Sequence, residues 1–331
     1  MPTPLPQRNQ ASRFRRIWEH AGLYSHILRA CLGRVPLREL LRTQFPFVLP
    51  DAKTPPMLSI ELTNHCNLRC VYCPSPRKLR PQGFMDEVTF ARLVEQIRDA
   101  HIPRVLLVGN GEATLHPKFA EYARRLRAVT PFLLLTTNWQ KVDDALIDTV
   151  LKLPFDELDI SVDGADAAAY ESTRLGGDFA RLRHNLERLW QRKQELKART
   201  LVAVRVMLRP SEAARQREVM DYWRPVATVV SPQFVLNFRG DLTDAYAPVV
   251  REESRCIMTL KAFDVRWDGS VPLCSYSDIQ TGNPLGLVLG NIRDSTLTAL
   301  WNCPLMRQYR HGHRHRNPAM TPICKGCRGK T

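Results

Sequence analysis

Met57-Leu58-Ser59-Ile60-Glu61-Leu62 runs directly into Thr63-Asn64-His65-Cys66-Asn67-Leu68-Arg69-Cys70-Val71-Tyr72-Cys73-Pro74. The apolar run Leu58 to Leu62 reads as a strand, so the three cysteines behind it sit at the C-terminal end of that strand. Onward to Phe238, short β-branched runs alternate with longer segments of helical spacing, such as Phe90, Leu93, Val94 and Ile97, or Leu182, Leu186 and Leu189. Further strands are expected at Val105–Val108, Phe132–Thr136, Glu157–Val162, Val202–Leu208 and Gln233–Leu236. Six βα units are too few to close an eight-stranded barrel. The expected fold is α/β, a partial (β/α)6 barrel over residues 56–238, with chemistry gathered at the C-terminal strand ends.

The flanks read differently. Residues 1–55 form a basic arm, with amphipathic helices expected around Phe14–His26 and Leu37–Phe45, ahead of Pro46 and Pro50. Residues 239–255 read as a linker and 256–331 as a small C-terminal module. In it Lys261–Trp267 and Ser270–Leu273 flank Asp268-Gly269, a strong hairpin signal. Thr296 to Tyr309 reads as one helix containing a proline, and His311-Gly312-His313-Arg314-His315 as a solvated basic segment.

The chain of 331 residues is 44% hydrophobic and 24% charged, enough apolar material for a real core, which argues against disorder. No apolar run has the length of a membrane span, and a cytoplasmic location is expected. The formal net charge of +15 is concentrated in the N-terminal arm and the tail. It draws anionic partners, and a phosphorylated or nucleotide-linked small molecule is carried forward ahead of nucleic acid or a membrane surface.

Nine cysteines in an intracellular chain read first as metal ligands. Cys66, Cys70 and Cys73 form one set; Cys256, Cys274, Cys324 and Cys327 form another; Cys31 and Cys303 remain. Three thiolates can hold three irons of a 4Fe-4S cube and leave the fourth iron open. A zinc ion would need a fourth ligand, which His65 could supply on spacing alone.

The CxxxCxxC spacing behind a first strand, with Tyr72 just before the last cysteine, resembles the radical S-adenosylmethionine (SAM) superfamily over roughly Met57 to Phe238. The resemblance implies a 4Fe-4S cluster on Cys66, Cys70 and Cys73 that binds SAM at its open iron. Gly109-Asn110-Gly111-Glu112 stands where relatives carry a Gly-Gly-Glu segment for the SAM amino group, with Asn110 in place of the first Gly. It implies cofactor roles for Gly111 and Glu112, and likewise for Asn138 and Ser161 at later strand ends. Arg174 resembles an arginine that contacts the methionine carboxylate, and Arg205 is a second candidate.

Cys256, Cys274 and the Cys324-Lys325-Gly326-Cys327 pair resemble the twitch or short SPASM module, which implies one auxiliary 4Fe-4S cluster on four thiolates. Four cysteines also suit structural zinc. Cys31 and Cys303 read as buried thiols, with Cys303 the candidate hydrogen-atom donor should the reaction be an epimerisation.

The resemblance implies reductive cleavage of SAM to a 5'-deoxyadenosyl radical, fed by a donor such as flavodoxin or ferredoxin. The radical then abstracts hydrogen from a small-molecule substrate. The auxiliary spacing is similar to that of aminocyclitol dehydrogenases, so oxidation of a sugar or cyclitol alcohol is expected, with the auxiliary cluster as electron acceptor. An epimerase and a peptide-modifying maturase are the alternatives within the family. An iron-sulfur or zinc-binding protein without SAM chemistry is the alternative outside it.

Overall fold

A computed structural model describes Leu37, Leu41 and residues 53–73, 80–153, 155–234, 256–275 and 287–324. Leu37 and Leu41 are helical and exposed. The rest of the basic arm up to residue 52, the 239–255 linker, Cys31 and Cys327 lie outside the described residues.

The architecture is mixed α/β around one parallel sheet. Its strands are β1 (Met57–Ile60), β3 (Arg104–Leu107), β4 (Phe132–Thr137), β5 (Glu157–Asp163), β7 (Leu201–Leu208), β8 (Val229–Phe234) and β9 (Ala262–Val265), in spatial order 8-7-5-4-3-1-9. Between them run α1 (Glu87–Asp99), α2 (Phe119–Arg127), α3 (Asp144–Lys152), α4 (Ala167–Thr173), α5 (Phe179–Glu195) and α6 (Gln216–Trp223), and a single turn, α7 (Met258–Lys261), leads into β9. A two-residue ribbon, β2 (Arg69–Cys70) with β6 (Arg174–Leu175), sits apart from the sheet. This is the partial barrel that the βα alternation requires.

Aspartates start most of the helices. Asp86, Asp143, Asp166 and Asp178 each accept a backbone N–H in the first turn of α1, α3, α4 and α5. Strand alternation then sorts the residues. Leu58, Ile60, Val105, Leu107, Leu133, Leu135, Leu158, Ile160, Val202, Val204 and Val206 are fully buried against helical residues such as Phe90, Ile97, Leu126, Leu186 and Leu189. The alternate positions Leu106, Thr136, Asp159, Ser161, Arg205, Met207 and Ser231 are partly exposed and line the opposite face, the lumen of the barrel.

Three departures from expectation have local causes. The last barrel strand begins at Val229 rather than at Gln233. The Asp268-Gly269 turn forms, with Gly269 at φ +81° and closing bonds of 2.9 Å from Gly269 N to Arg266 O and from Arg266 N to Ser270 O. Beyond it the arms part. β9 pairs in parallel with β1, where Phe263 and Val265 join the core, whereas β10 (Ser270–Pro272) pairs antiparallel with β11 (Val288–Asn291). The C-terminal helix is two helices, α8 (Leu297–Trp301) and α9 (Pro304–Arg314). Pro304 cannot donate inside a helix but suits its first position.

The C-terminal segment docks through α1. Gln96 donates to Ile292 O at 2.8 Å and accepts from Leu297 N at 2.7 Å, all buried. Gln96→Leu strands a carbonyl and an amide and is expected to cost about 2–6 kcal/mol, at about 1–3 kcal/mol per unsatisfied group. A urea titration checks it, and an unchanged midpoint would contradict the docking role. Among the described residues no helix is long and apolar enough to cross a membrane.

Candidate active site

The loop leaving β1 is held from both sides. Thr63 Oγ1 donates to Gly83 O at 2.7 Å, Asn64 Nδ2 to Pro81 O at 2.8 Å, and Gly83 N to Asn64 Oδ1 at 2.9 Å. Glu112 N donates to His65 O at 2.8 Å, bringing the Gly109–Glu112 segment against the cysteine loop. Gly111 fits there because it lacks a side chain: a Cβ would lie 2.3 Å from Thr63 O and 2.6 Å from His65 O. Gly111→Ala forces one backbone off the other and is expected to destabilise by about 1–3 kcal/mol. Iron content after reconstitution should fall with it, and full iron loading with a parental melting curve would refute the close approach.

Cys66 Sγ accepts from Leu68 N at 3.5 Å and from Asn138 Nδ2 at 3.8 Å. Cys70 lies on the β2–β6 ribbon, Val71 N donates to Thr173 O at 2.9 Å, and Cys73 N donates to Cys70 O at 3.0 Å. Burial pushes the Cys66 thiol up to about 11 and Cys70 up to about 12, and each of the two feels the charge of Cys73. The three thiols thus share one site in which burial outweighs the groups that favour ionisation, Leu68 N and Asn138 at Cys66 and Arg174 at Cys70. Cationic iron would stabilise the thiolates, which is the condition a cluster-binding donor set meets. His65 lies flat on Phe84, ring centroids 4.6 Å apart.

The cofactor candidates divide into two groups. Glu112, 3% exposed, accepts from Thr137 Oγ1, Thr114 Oγ1 and Asn138 N, each at 2.8 Å, so its carboxylate ties the end of β3 to the end of β4. Burial raises its pKa against those hydrogen bonds. Asn138 also donates to Asn67 Oδ1 at 2.9 Å, beside Cys66. Ser161 faces the lumen two residues before Asp163.

Tyr72 and Arg174 converge on Asp163. Tyr72 Oη donates to both carboxylate oxygens at 2.8 and 3.0 Å, Arg174 Nε donates at 2.8 Å, and Thr173 Oγ1 at 2.7 Å. In this structure the Arg174 guanidinium is taken up by a protein carboxylate. Sequence reading passed over Asp163 as a binding hub, although its place at the end of β5, one step before Gly164, was a signal. Arg205 is likewise engaged, by Asp159, Glu157 and Ser231.

α9 assembles the second cysteine set. Cys256 N donates to His313 Nδ1 at 3.2 Å, and Ile323 N, beside Cys324, donates to Tyr309 Oη at 3.5 Å. Burial raises the Tyr309 pKa, and the charges of Cys324 and Cys274 add to it. Three of the four expected ligands therefore surround one helix face, since Tyr309 and His313 are four residues apart. His313, 3% exposed, is not the solvated residue expected; the tight Cys256 contact removes it from water. Cys303 is the N-cap of α9 and packs against the apolar core.

With this geometry in place, comparison with known proteins is direct. Residues 60–212 match the radical SAM superfamily, and residues 256–328 match SPASM, an iron-sulfur cluster-binding domain. A pre-heme d1 synthase of Dinoroseobacter shibae is 34% identical over 34% of this chain and 28% of its own length. A PqqA peptide cyclase of Methylorubrum extorquens is 32% identical over 41% of this chain and 35% of its own. The chain thus spans about a third of the length of these curated relatives. Among solved structures, BtrN in complex with AdoMet and 2-DOIA superposes with a TM-score of 0.58 at 18% identity, over 82% of this chain and 92% of that one. Streptococcus suis SuiB bound to precursor peptide SuiA gives 0.55 at 12% identity, over 84% and 70%. At these identities the likeness is one of fold.

Proposed function

We propose that this chain, a member of the radical SAM superfamily with a SPASM-type iron-sulfur domain, oxidises an alcohol carbon of a small hydroxyl-bearing molecule such as a sugar or cyclitol. The two matched domains imply a 4Fe-4S cluster with SAM and an auxiliary cluster. Cys66, Cys70 and Cys73 would hold the first; Cys256, Cys274, Cys324 and Cys327 would hold the second. Together with SAM, the first supplies a 5'-deoxyadenosyl radical when bound.

The protein's own contribution is placement. Gly111 lets the Gly109–Glu112 segment close on the cysteine loop, Asn138 lies beside Cys66, and the lumen receives the substrate. The observation that carries the reading is the lumen wall. Thr136, Ser161 and Ser231 offer hydroxyls, and Asp159 and Arg205 offer charges, on the partly exposed face of the strands. Such a wall suits a polar, hydroxyl-rich molecule, because each buried hydroxyl of the ligand needs a partner. The second cysteine set gives a place for the electron that alcohol oxidation releases. A flavodoxin- or ferredoxin-type donor for the first cluster belongs to the same proposal.

The test is anaerobic reconstitution followed by incubation with SAM, dithionite and a panel of sugars, cyclitols and aminocyclitols. The expected result is 5'-deoxyadenosine in step with a product lighter by two hydrogens. Peptide modification is the second reading, favoured by the 32% identity to a peptide cyclase over 41% of this chain. Deoxyadenosine formation stimulated by a peptide, with every polyol inert, would replace the first reading by the second.

A further inference from the structure

On the lumen face of the sheet two carboxylates share one arginine. Arg205 Nε donates to Asp159, Nη2 to Glu157 at 2.8 Å, and Nη1 to Ser231 Oγ at 2.7 Å. Asp159 and Glu157 are alternate residues of β5, and Ser161 continues the same face toward the cysteine loop. The side chains of Asp159 and Arg205 keep 15% and 11% exposure, while Glu157 keeps 2%. Asp159 is therefore the member that meets the lumen, with Glu157 behind it.

Beyond the Ser231 hydroxyl, further charged groups act on the pair. Arg104, on β3 and stacked over Phe132 at 4.7 Å, acts on Glu157 through space. Lys261, next to β9, feels both Arg104 and Cys256. A line of ions thus runs from the lumen toward the second cysteine set. Burial first and the Asp159 charge second push Glu157 up to about 7, against the pull of Arg205 and Arg104; burial likewise raises Asp159. Two close carboxylates of this kind titrate as a pair, and burial with mutual repulsion makes the pair hold a proton more readily than either carboxylate would in water.

We propose that the Asp159–Glu157 pair, held on Arg205, accepts the hydroxyl proton of the substrate. The assignment rests on the alcohol-oxidation reading above. Once hydrogen has left the carbinol carbon, the O–H bond breaks and its electron pair, kept on oxygen, closes the C=O bond. The proton goes to the Asp159 carboxylate. The one surplus electron would be taken up by the one-electron oxidant that reading already names, an auxiliary iron-sulfur centre that Cys256, Cys274, Cys324 and Cys327 would hold. A base poised near the working pH is the efficient choice for such a transfer. Proton and electron would also leave on the same side of the substrate.

The experiment is infrared difference titration of the iron-loaded full chain from about pH 5 to about pH 9, spanning the Glu and His ranges. A protonated-carboxyl band should vanish near pH 7 in the parent and in Ser231→Ala. It should be gone from that range in Asp159→Asn and in Glu157→Gln, either of which suffices if the other fails to fold. With the polyol that responds in the panel, Asp159→Asn should lower ketone formation about 10²–10⁴-fold and remove the rise in rate through neutral pH. No band titrating near neutrality, or a band and pH limb that survive both substitutions, overturns the assignment even where polyol oxidation stands. Inert polyols throughout would bring down the alcohol reading, and the assignment with it.

Discussion

Alanine at Cys66, Cys70 and Cys73 together abolishes SAM cleavage, a loss of at least about 10⁴-fold, or about 5.5 kcal/mol in activation free energy. The iron of the reconstituted protein falls from about eight to about four per chain, one cube of two. The expected size follows from what else the loop is made of. Its path is set by backbone and side-chain bonds that the cysteines do not supply: Thr63 to Gly83, Asn64 to Pro81, Glu112 N to His65 O, and Val71 N to Thr173 O. Removing three thiols therefore removes the proposed ligand set while the loop keeps its anchors, and the far-ultraviolet circular dichroism of the variant should overlay the parent. Retained cleavage would mean that the cysteine loop is not the site of SAM chemistry. Loss of all iron would mean that the second set cannot be filled alone.

Asp163→Asn gives the largest expected change in stability. Arg174 and Asp163 have side-chain exposures of 6% and 5%, and two further donors, Tyr72 and Thr173, rely on the same carboxylate. Desolvation works against the Arg174 charge, while Asp163 and, after it, Tyr72, Cys70 and Tyr170 together hold the guanidinium pKa above its ordinary range; an arginine keeps its charge at any working pH, so the cation stays when its partner is neutralised. Breaking a buried pair from one side costs about 3–5 kcal/mol. Arg174 is also the cross-strand neighbour of Cys70, so iron loading should fall together with the denaturation midpoint. In the double variant Asp163→Asn/Arg174→Met part of the loss is recovered, because no buried charge is left alone. Strictly additive losses would show that the pair contributes nothing as a pair.

The sequence was most legible where a property is local. Five strand positions agree to within about a residue or two because runs such as Phe132–Thr137 and Leu201–Leu208 are largely apolar and end at breakers such as Asn138 and Pro210. The cysteine loop was legible because ligand spacing is a short-range pattern. What could not be read was pairing at a distance. Ala262–Val265 looks like one arm of a hairpin, and nothing within it tells that the open edge of β1 is the better partner. His313 lies in a run of basic residues, and its contact with Cys256 spans 57 positions. The Arg205 cluster needed three strands in register before its members could meet. Pro304 offered a local signal for the break between α8 and α9, yet Thr296 to Tyr309 reads as one helix running through it.

The pairing of β9 with β1 bears on how the protein is made. β1 leads into the cysteine loop, yet one of its two edges stays open until residues 262–265 have been synthesised. During translation the N-terminal strand waits with its hydrogen-bonding groups exposed, a feature that invites mispairing with other nascent chains. A contact of such sequence separation also slows folding, since a long loop must close before it is rewarded. Iron delivery to the first site is thereby tied to completion of the C-terminal segment. A chain cut after β8 should accumulate as an aggregate even though every residue of the CxxxCxxC loop is present.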